Sequence, residues 1–244
     1  MKMEVRMLTK MSLTNQIKQD LQNLATEERA KISRKFFKTG QGEYGQGDIF
    51  IGITVPDTKK MAEKYKNLSI KEIKELLQSK IHEYRLTALH ILVIKFKKSN
   101  EKERQEICDF YLNNTNCINN WDLVDSSAHY ILGENLSNKD KQILEKLARS
   151  DNLWERRIAI ISTLQLIRKN QFEETFKIAN ILLNDKHDLI HKAVGWMLRE
   201  VGKKNQTKEE EFLMKYYKSM PRTMLRYAIE RFSKEKKDFF MRKD

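Results

Sequence analysis

Trp121 and Asp125 stand four residues apart in NNWDLVDSSA (119–128), so a helix through this stretch places an indole and a carboxylate on one face, with Ala128 three positions further on. Packing alone would favour a second apolar residue at 125. Between Val124 and the small residues Ser126, Ser127 and Ala128, the carboxylate is partly buried and needs a cation or a charged ligand. Arg157 follows Asp125 by 32 residues and Trp196 follows Arg157 by 39, spacings that put all three on one side of successive helix pairs in a repeat protein. With Trp121 they form a cleft of two rings, one carboxylate and one guanidinium. Arg156, Arg168, Lys169, Lys192, Arg199, Lys203, Lys204, Arg222 and Arg226 add positive charge around it. Such a combination suits a nucleic-acid groove, where cations hold phosphates and rings pack against sugars or bases. Each residue also has a plainer use: a tryptophan fills the gap between helices, Arg157 pairs with Glu155 or Asp151 at a helix start, and Asp122, beside two asparagines, makes local hydrogen bonds.

The elements that position these residues are helices. The 244 residues include only two prolines, and five of the eight glycines fall between Gly40 and Gly52. Outside that window, stretches 58–112, 139–183 and 188–217 space their Leu, Ile, Phe, Met and Val residues by three and four. Residues 12–38 read as one or two amphipathic helices. The Gly-rich run at 39–55 reads as an ordered connector, and Pro56 and Asp57 open a helix reaching about Tyr65. A short helix over 68–77 follows, with Ser69 as its cap.

HEYRLTAL (82–89), WERRIAI (154–160), HKAVGWML (191–198) and MLRYAIER (224–231) each set a small residue among basic and bulky apolar ones. Ala88 to Ala159 spans 71 residues, Ala159 to Ala193 34, and Ala193 to Ala228 35; Ser127 and Ala128 stand near the missing position in the first gap. A period near 35 holding two helical runs indicates an all-α helical-repeat solenoid of stacked helix pairs, one domain over 1–244, with a concave basic surface; a globular bundle with accidental spacing is the rival reading.

A net charge of +13 favours an anionic partner. The two cysteines, Cys108 and Cys117, lack companions at ligand spacing, and HDLIH (187–191) lacks a third ligand and the glutamate of a zinc-hydrolase helix, so neither a metal nor a cofactor is expected. The Gly-rich run has no terminal Gly-Lys-Ser/Thr and follows no strand. It is neither a phosphate loop nor a dinucleotide fingerprint. Ser126, Ser127 and His129 are too close in sequence to form a relay on a helix. MKMEVRMLTKMSL lacks the apolar core of a signal peptide, and no run of eighteen apolar residues occurs, so a cytoplasmic (in a prokaryote, nucleoid-associated), membrane-free protein is expected, and with no heptad seam or obvious dimer helix in the sequence, a monomer. The basic tail RFSKEKKDFFMRKD (231–244) reads as a terminal cap or a backbone contact.

NNWDLVDSSA, SDNLWERRIAIIST, HDLIHKAVGWMLRE and FFKTGQGEYGQGDIFIGITVPDTKKMAEKY resemble segments of the DNA alkylation repair proteins built from HEAT-like repeats, the AlkD-like alkylpurine DNA glycosylases. The resemblance runs from about residue 33 to 231 and is carried by WDLVD and GWMLRE in tandem around WERR. It implies a metal-independent, monofunctional glycosylase that releases cationic N3- or N7-alkylated purines from duplex DNA and leaves an abasic site. Trp121 and Trp196 then resemble the family's two tryptophans, Asp125 its catalytic aspartate and Arg157 its functional arginine, with Arg156 adjacent. Arg156, Arg157, Lys192, Arg199, Arg222 and Arg226 are the expected DNA contacts. One departure is Asn120, where family enzymes carry an aromatic residue, which implies a less enclosed cleft. A non-catalytic helical-repeat module that binds nucleic acid or protein is the alternative, and Asp125 discriminates: a binder tolerates its neutralisation, whereas an enzyme keeps binding and loses base release.

Overall fold

With so few helix breakers outside the Gly-rich run, little interrupts the helices. The computed structural model describes residues 11–242 and contains, among them, fourteen α-helices and no strand beyond an isolated bridge between Ile49 and Ile81. The amino-terminal stretch read for a signal peptide lies largely outside the described residues. Two compact units emerge, divided between Lys98 and Ser99.

The first unit holds α1 (Leu13–Gln22), α2 (Glu27–Phe36), α3 (Val55–Lys64), α4 (Ile70–Leu77) and α5 (His82–Lys98). Residues 12–38 thus form two helices. Ser12 and Thr54 cap α1 and α3 through their hydroxyls, and Ser69 and Glu72 form a reciprocal capping box on α4. Helix α5 is buried from His82 through Val93, and α3 and α4 pack on it. The connector is pinned to the first turns of α5. Glu83 Oε1 accepts hydrogen bonds from the amides of Ile51 (3.1 Å), Gly52 (2.8 Å) and Ile53 (3.3 Å), and Asp48 accepts from Arg85 Nη2 at 2.7 Å and pairs with His82 Nδ1 at 3.0 Å. Those amides are spent on an internal carboxylate, which is why the loop is ordered without a phosphate.

The second unit runs through α6 (Glu101–Leu112), a 3₁₀ turn (Thr115–Cys117), α7 (Trp121–Asp125), a π-helical turn (His129–Gly133), α8 (Gln142–Ala148), α9 (Leu153–Arg168), α10 (Glu173–Ile181), α11 (Asp188–Lys204), α12 (Gln206–Tyr216), α13 (Arg222–Ala228) and α14 (Lys234–Met241). Helix α9 is its hub, with α7, the π turn, α8, α10 and α11 packed around it, so it is apolar on most of its circumference. α11 in turn packs against α13. The small residues of the repeat pattern, Ala159, Ala193 and Ala228, are all at most 1% exposed, as Ala88 is in the first unit. Glycine permits the tightest approaches: a Cβ on Gly133 would lie 2.2 Å from the Ser162 carbonyl oxygen of α9, and one on Gly195 2.4 Å from the Met224 carbonyl oxygen of α13. The described part of the tail forms α14, with Phe240 buried against Phe232 and Tyr217.

Candidate functional site

Asp125 ends α7, a helix of five residues too short to hold itself in place. Three tethers hold it. Asn120 caps it, its Oδ1 accepting from the Trp121 amide at 2.8 Å, while Asp122 Oδ1 accepts from the Leu123 amide at 2.9 Å. Beneath it, the Ser127 hydroxyl donates to the Leu123 carbonyl at 2.6 Å, and the fully buried Tyr111 of α6 donates to Ser127 Oγ at 3.0 Å. Burial pushes the Tyr111 phenol well above its ordinary range, so it stays neutral. Ahead of α7, Thr115 donates to Glu155 Oε1 at 2.7 Å and Ser150 donates to Glu155 Oε2 at 2.5 Å, fastening the 3₁₀ turn to the start of α9.

Arg157 makes the decisive contact. Its Nε and Nη2 donate to the two oxygens of Asp125 at 2.9 and 2.7 Å, and its Nη1 donates to the Leu189 carbonyl at 2.6 Å. One guanidinium therefore joins α7, α9 and the first turn of α11. The Arg157 side chain is 6% exposed and the Asp125 side chain 18%. Burial pushes the Asp125 carboxyl above the usual aspartate range, and the charge and hydrogen bonds of Arg157 pull it part of the way back. Each carboxylate oxygen accepts one N–H from Arg157 and keeps acceptor capacity for a ligand.

Trp121 opens α7 and is half-buried. Trp196, also half-buried, follows Leu189 by seven residues and so lies on the same face of α11, two turns on; its indole N–H donates to Glu200 at 3.0 Å. Gly195, immediately before it, sets how near α11 comes to α13. The third tryptophan, Trp154, is buried.

The remaining cations divide by what they touch. Arg156 donates to Asp185 at 2.6 Å and to the carbonyls of Ser150 and Asp151, which ties the start of α9 to the loop before α11. Lys192 pairs with Asp188 at 2.7 Å, and Arg199 with Glu230. Arg222 and Arg226 are exposed; Arg222 donates to the Met241 carbonyl and Arg226 to the Thr223 hydroxyl at 3.4 Å. Glu155 and Asp151 are not the partners of Arg157, because Glu155 is taken by Thr115 and Ser150. Asn120, at the position where the resemblance implies a less enclosed cleft, is wholly buried as the cap of α7. Nor do Ser127 and His129 form a relay: the serine bonds backward to Leu123, and His129 stands beside Arg168. Tyr111 and Gly133 escape sequence reasoning, and Glu155 is read there only as a partner for Arg157. Only Gly133 carries a signal, as one of three glycines outside the loop.

Among the described residues no cluster of His, Cys, Asp or Glu is arranged to hold a metal, and no helix is long and apolar enough to cross a membrane. The sequence model of a family described as DNA alkylation repair enzyme matches residues 17–232. Among solved structures, a predicted DNA alkylation repair enzyme from Enterococcus faecalis superposes with a TM-score of 0.66 at 18% identity, over 86% of this chain and 97% of that one. AlkD2 from Streptococcus mutans superposes with a TM-score of 0.54 at 18% identity, over 85% and 99%. At that identity the likenesses show a shared fold alone. No curated protein sequence matches the chain.

Proposed function

Since this chain belongs to the DNA alkylation repair enzyme family, we propose that it is a DNA glycosylase that hydrolyses the N-glycosidic bond of cationic N3- or N7-alkylated purines in duplex DNA and leaves an abasic site. The observation that carries this reading is the partly exposed Asp125 carboxylate, held on both oxygens by Arg157 and one helical turn from Trp121.

The chemistry follows from the residue types. An N3- or N7-alkylated purine already bears positive charge, so its bond to the sugar is weakened and it departs as a neutral base. No general acid and no Lewis acid is needed. Charge then develops on the sugar as an oxocarbenium-like transition state, which an ionised Asp125 stabilises while orienting the attacking water. Arg157 acts through Asp125: its bidentate contact fixes the carboxylate and favours the ionised form, and its buried donors are turned toward the protein in place of the phosphate contact expected of it. Arg156 is likewise occupied. Phosphate contacts fall instead to the exposed Arg222 and Arg226 and to Lys192, with Arg199 toward Glu230. The rings of Trp121 and Trp196 attract a cationic base or sugar by about 0.5–2 kcal/mol per contact.

The test is release of methylated bases from alkylated duplex DNA in the presence of a chelator, comparing the wild type with Asp125→Asn. The expected result is a fall of about 100-fold or more in release with DNA affinity retained. Tight, salt-sensitive binding with no release by either protein supports the non-catalytic reading, which the bidentate pairing of Asp125 with Arg157 favours: a carboxylate engaged at both oxygens also serves as a plain structural ion pair. A protein–DNA adduct trapped by borohydride would exclude the monofunctional assignment.

A further inference from the structure

Helix α2 carries a surface that the Asp125 site does not use. Only Ala30 of this helix is buried, and the opposite face presents Ile32 and Phe36, 64% and 62% exposed, one helical turn apart. Arg29, Lys31, Lys35 and Lys38 surround them. All four are exposed, and their side chains have no ion-pair or hydrogen-bond partner among the described residues; the Glu27 carboxylate pairs with Arg34 instead. Two large apolar side chains set together and rimmed by cations form the kind of exposed patch that marks an interaction surface.

Two further features show that this face is prepared. Phe36 is supported from below: its ring meets Phe37 edge-on at 5.1 Å, Phe37 stacks on Phe50 at 4.8 Å, and Phe50 stacks on His82 at 4.3 Å. His82 is itself fixed by Asp48. The exposed ring is thus the outer end of a rigid ladder, and little freedom is lost when it is covered. Lys38 also occupies a backbone conformation with φ of 51°, where the chain leaves α2 through paired bonds from Thr39 to the Arg34 carbonyl and from Lys38 to the Lys35 carbonyl. Glycine fits that position without strain, and a lysine there costs about 1 kcal/mol.

We infer that this face of α2 is a second contact surface for duplex DNA, with Lys31, Lys35, Lys38 and Arg29 on backbone phosphates and Ile32 and Phe36 against the deoxyribose faces of a groove. The inference rests on the reading of the chain as a DNA-binding repair enzyme. Charge complementarity selects the occupant: Lys31 and Lys35 stand one turn, about 6 Å, apart on α2 and Lys38 follows just past its end, a row of exposed cations suited to successive backbone phosphates. A preorganised ring between such cations matches the apolar contacts made by proteins that follow a groove without reading sequence.

The experiment measures binding of the full chain to a labelled unmodified duplex across a salt series. The variants are Lys31→Gln/Lys35→Gln/Lys38→Gln and Ile32→Ser/Phe36→Ser, with thermal unfolding as the control for folding. Since these side chains are exposed, the unfolding midpoints are expected to hold. In the lysine variant the slope of log affinity against log salt is expected to shallow by about 2 to 3, at about 0.9 per phosphate contact. The apolar variant is expected to bind about tenfold more weakly with its slope unchanged. Wild-type binding to DNA that neither variant weakens would overturn the inference while leaving the enzyme reading intact. So would binding to anionic phospholipid vesicles that both variants abolish without touching DNA affinity, which would assign the face to a membrane surface. No DNA binding by the wild type removes both readings together.

Discussion

Arg157→Gln is the most informative single change. In the native protein the guanidinium makes two charge-assisted hydrogen bonds to Asp125, at 2.9 and 2.7 Å, and a third to the Leu189 carbonyl. Hydrogen bonds to charged groups contribute roughly 1.5–3 kcal/mol each, and removing one member of a buried ion pair costs about 3–5 kcal/mol because the other is stranded. A loss of about 3–5 kcal/mol at neutral pH is therefore expected, read as a lower urea midpoint with the m-value unchanged. The pH dependence identifies the cause. Burial already holds the Asp125 carboxyl above its ordinary 3.8, and loss of Arg157 removes the two effects that oppose burial, so the carboxyl rises further. A carboxyl whose folded pKa is raised favours the fold below its unfolded pKa, and that contribution is lost as pH rises through the folded pKa. The deficit of Arg157→Gln is thus smallest in acid and grows as pH rises from about 4 through the raised value. Asp125→Asn/Arg157→Gln, with no charge to strand, is expected to be more stable at neutral pH than Arg157→Gln alone. A deficit that is the same at every pH, or a double variant no better than the single, would refute the stranded-carboxylate reasoning.

Four other outcomes follow from the same geometry. If Asp125 acts ionised in the proposed reaction, the rate of base release is expected to fall as pH drops through a pKa above 3.8, and Arg157→Gln should carry that acid limb upward; pH–rate profiles on methylated duplex check both. Gly133→Ala sets a methyl against the backbone oxygen of Ser162, which cannot move aside, and is expected to cost about 1–3 kcal/mol in denaturant titrations. Glu209, 2% exposed, is pushed up to about 8 by burial and by the charge of Glu210, against the opposing charge of Arg199. Its contribution to stability is present below the ordinary 4.5 and is lost as pH rises through about 8, so Glu209→Gln should flatten the stability decline across that window by a few kcal/mol. Glu155→Gln weakens the bridge from Thr115 to Ser150 and is expected to slow base release at saturating DNA while leaving the dissociation constant unchanged; an unchanged rate would mean that α7 does not depend on that bridge.

What could be read from the sequence, and what could not, divides along the range of the forces involved. The buried alanines of the repeat, the Ser69 cap and the entry to α3 at Pro56 depend on neighbours within a turn or two, and pattern reveals them. The division between the units at Lys98 and Ser99 falls inside the charged stretch 95–106, and no proline or glycine marks it. The partner of Arg157 was harder to see. Long side chains choose among acceptors that the fold brings near, and the acidic residue two positions away was already committed to two hydroxyls, leaving the one 32 positions away. Asn120 shows the same limit from the other direction. Beside a tryptophan and an aspartate it reads as a gap in a wall, but its amide oxygen is the cap that begins α7, and an aromatic residue at 120 would lack that acceptor. The carboxylate that defines the candidate chemistry is therefore placed almost entirely by residues that perform none of it. Asn120 starts its helix, Tyr111 and Ser127 support it, Glu155 anchors its approach, and Arg157 fixes its charge. If the proposed reaction holds, changes at these positions should slow it by altering the position and ionisation of Asp125 and not through contact with DNA.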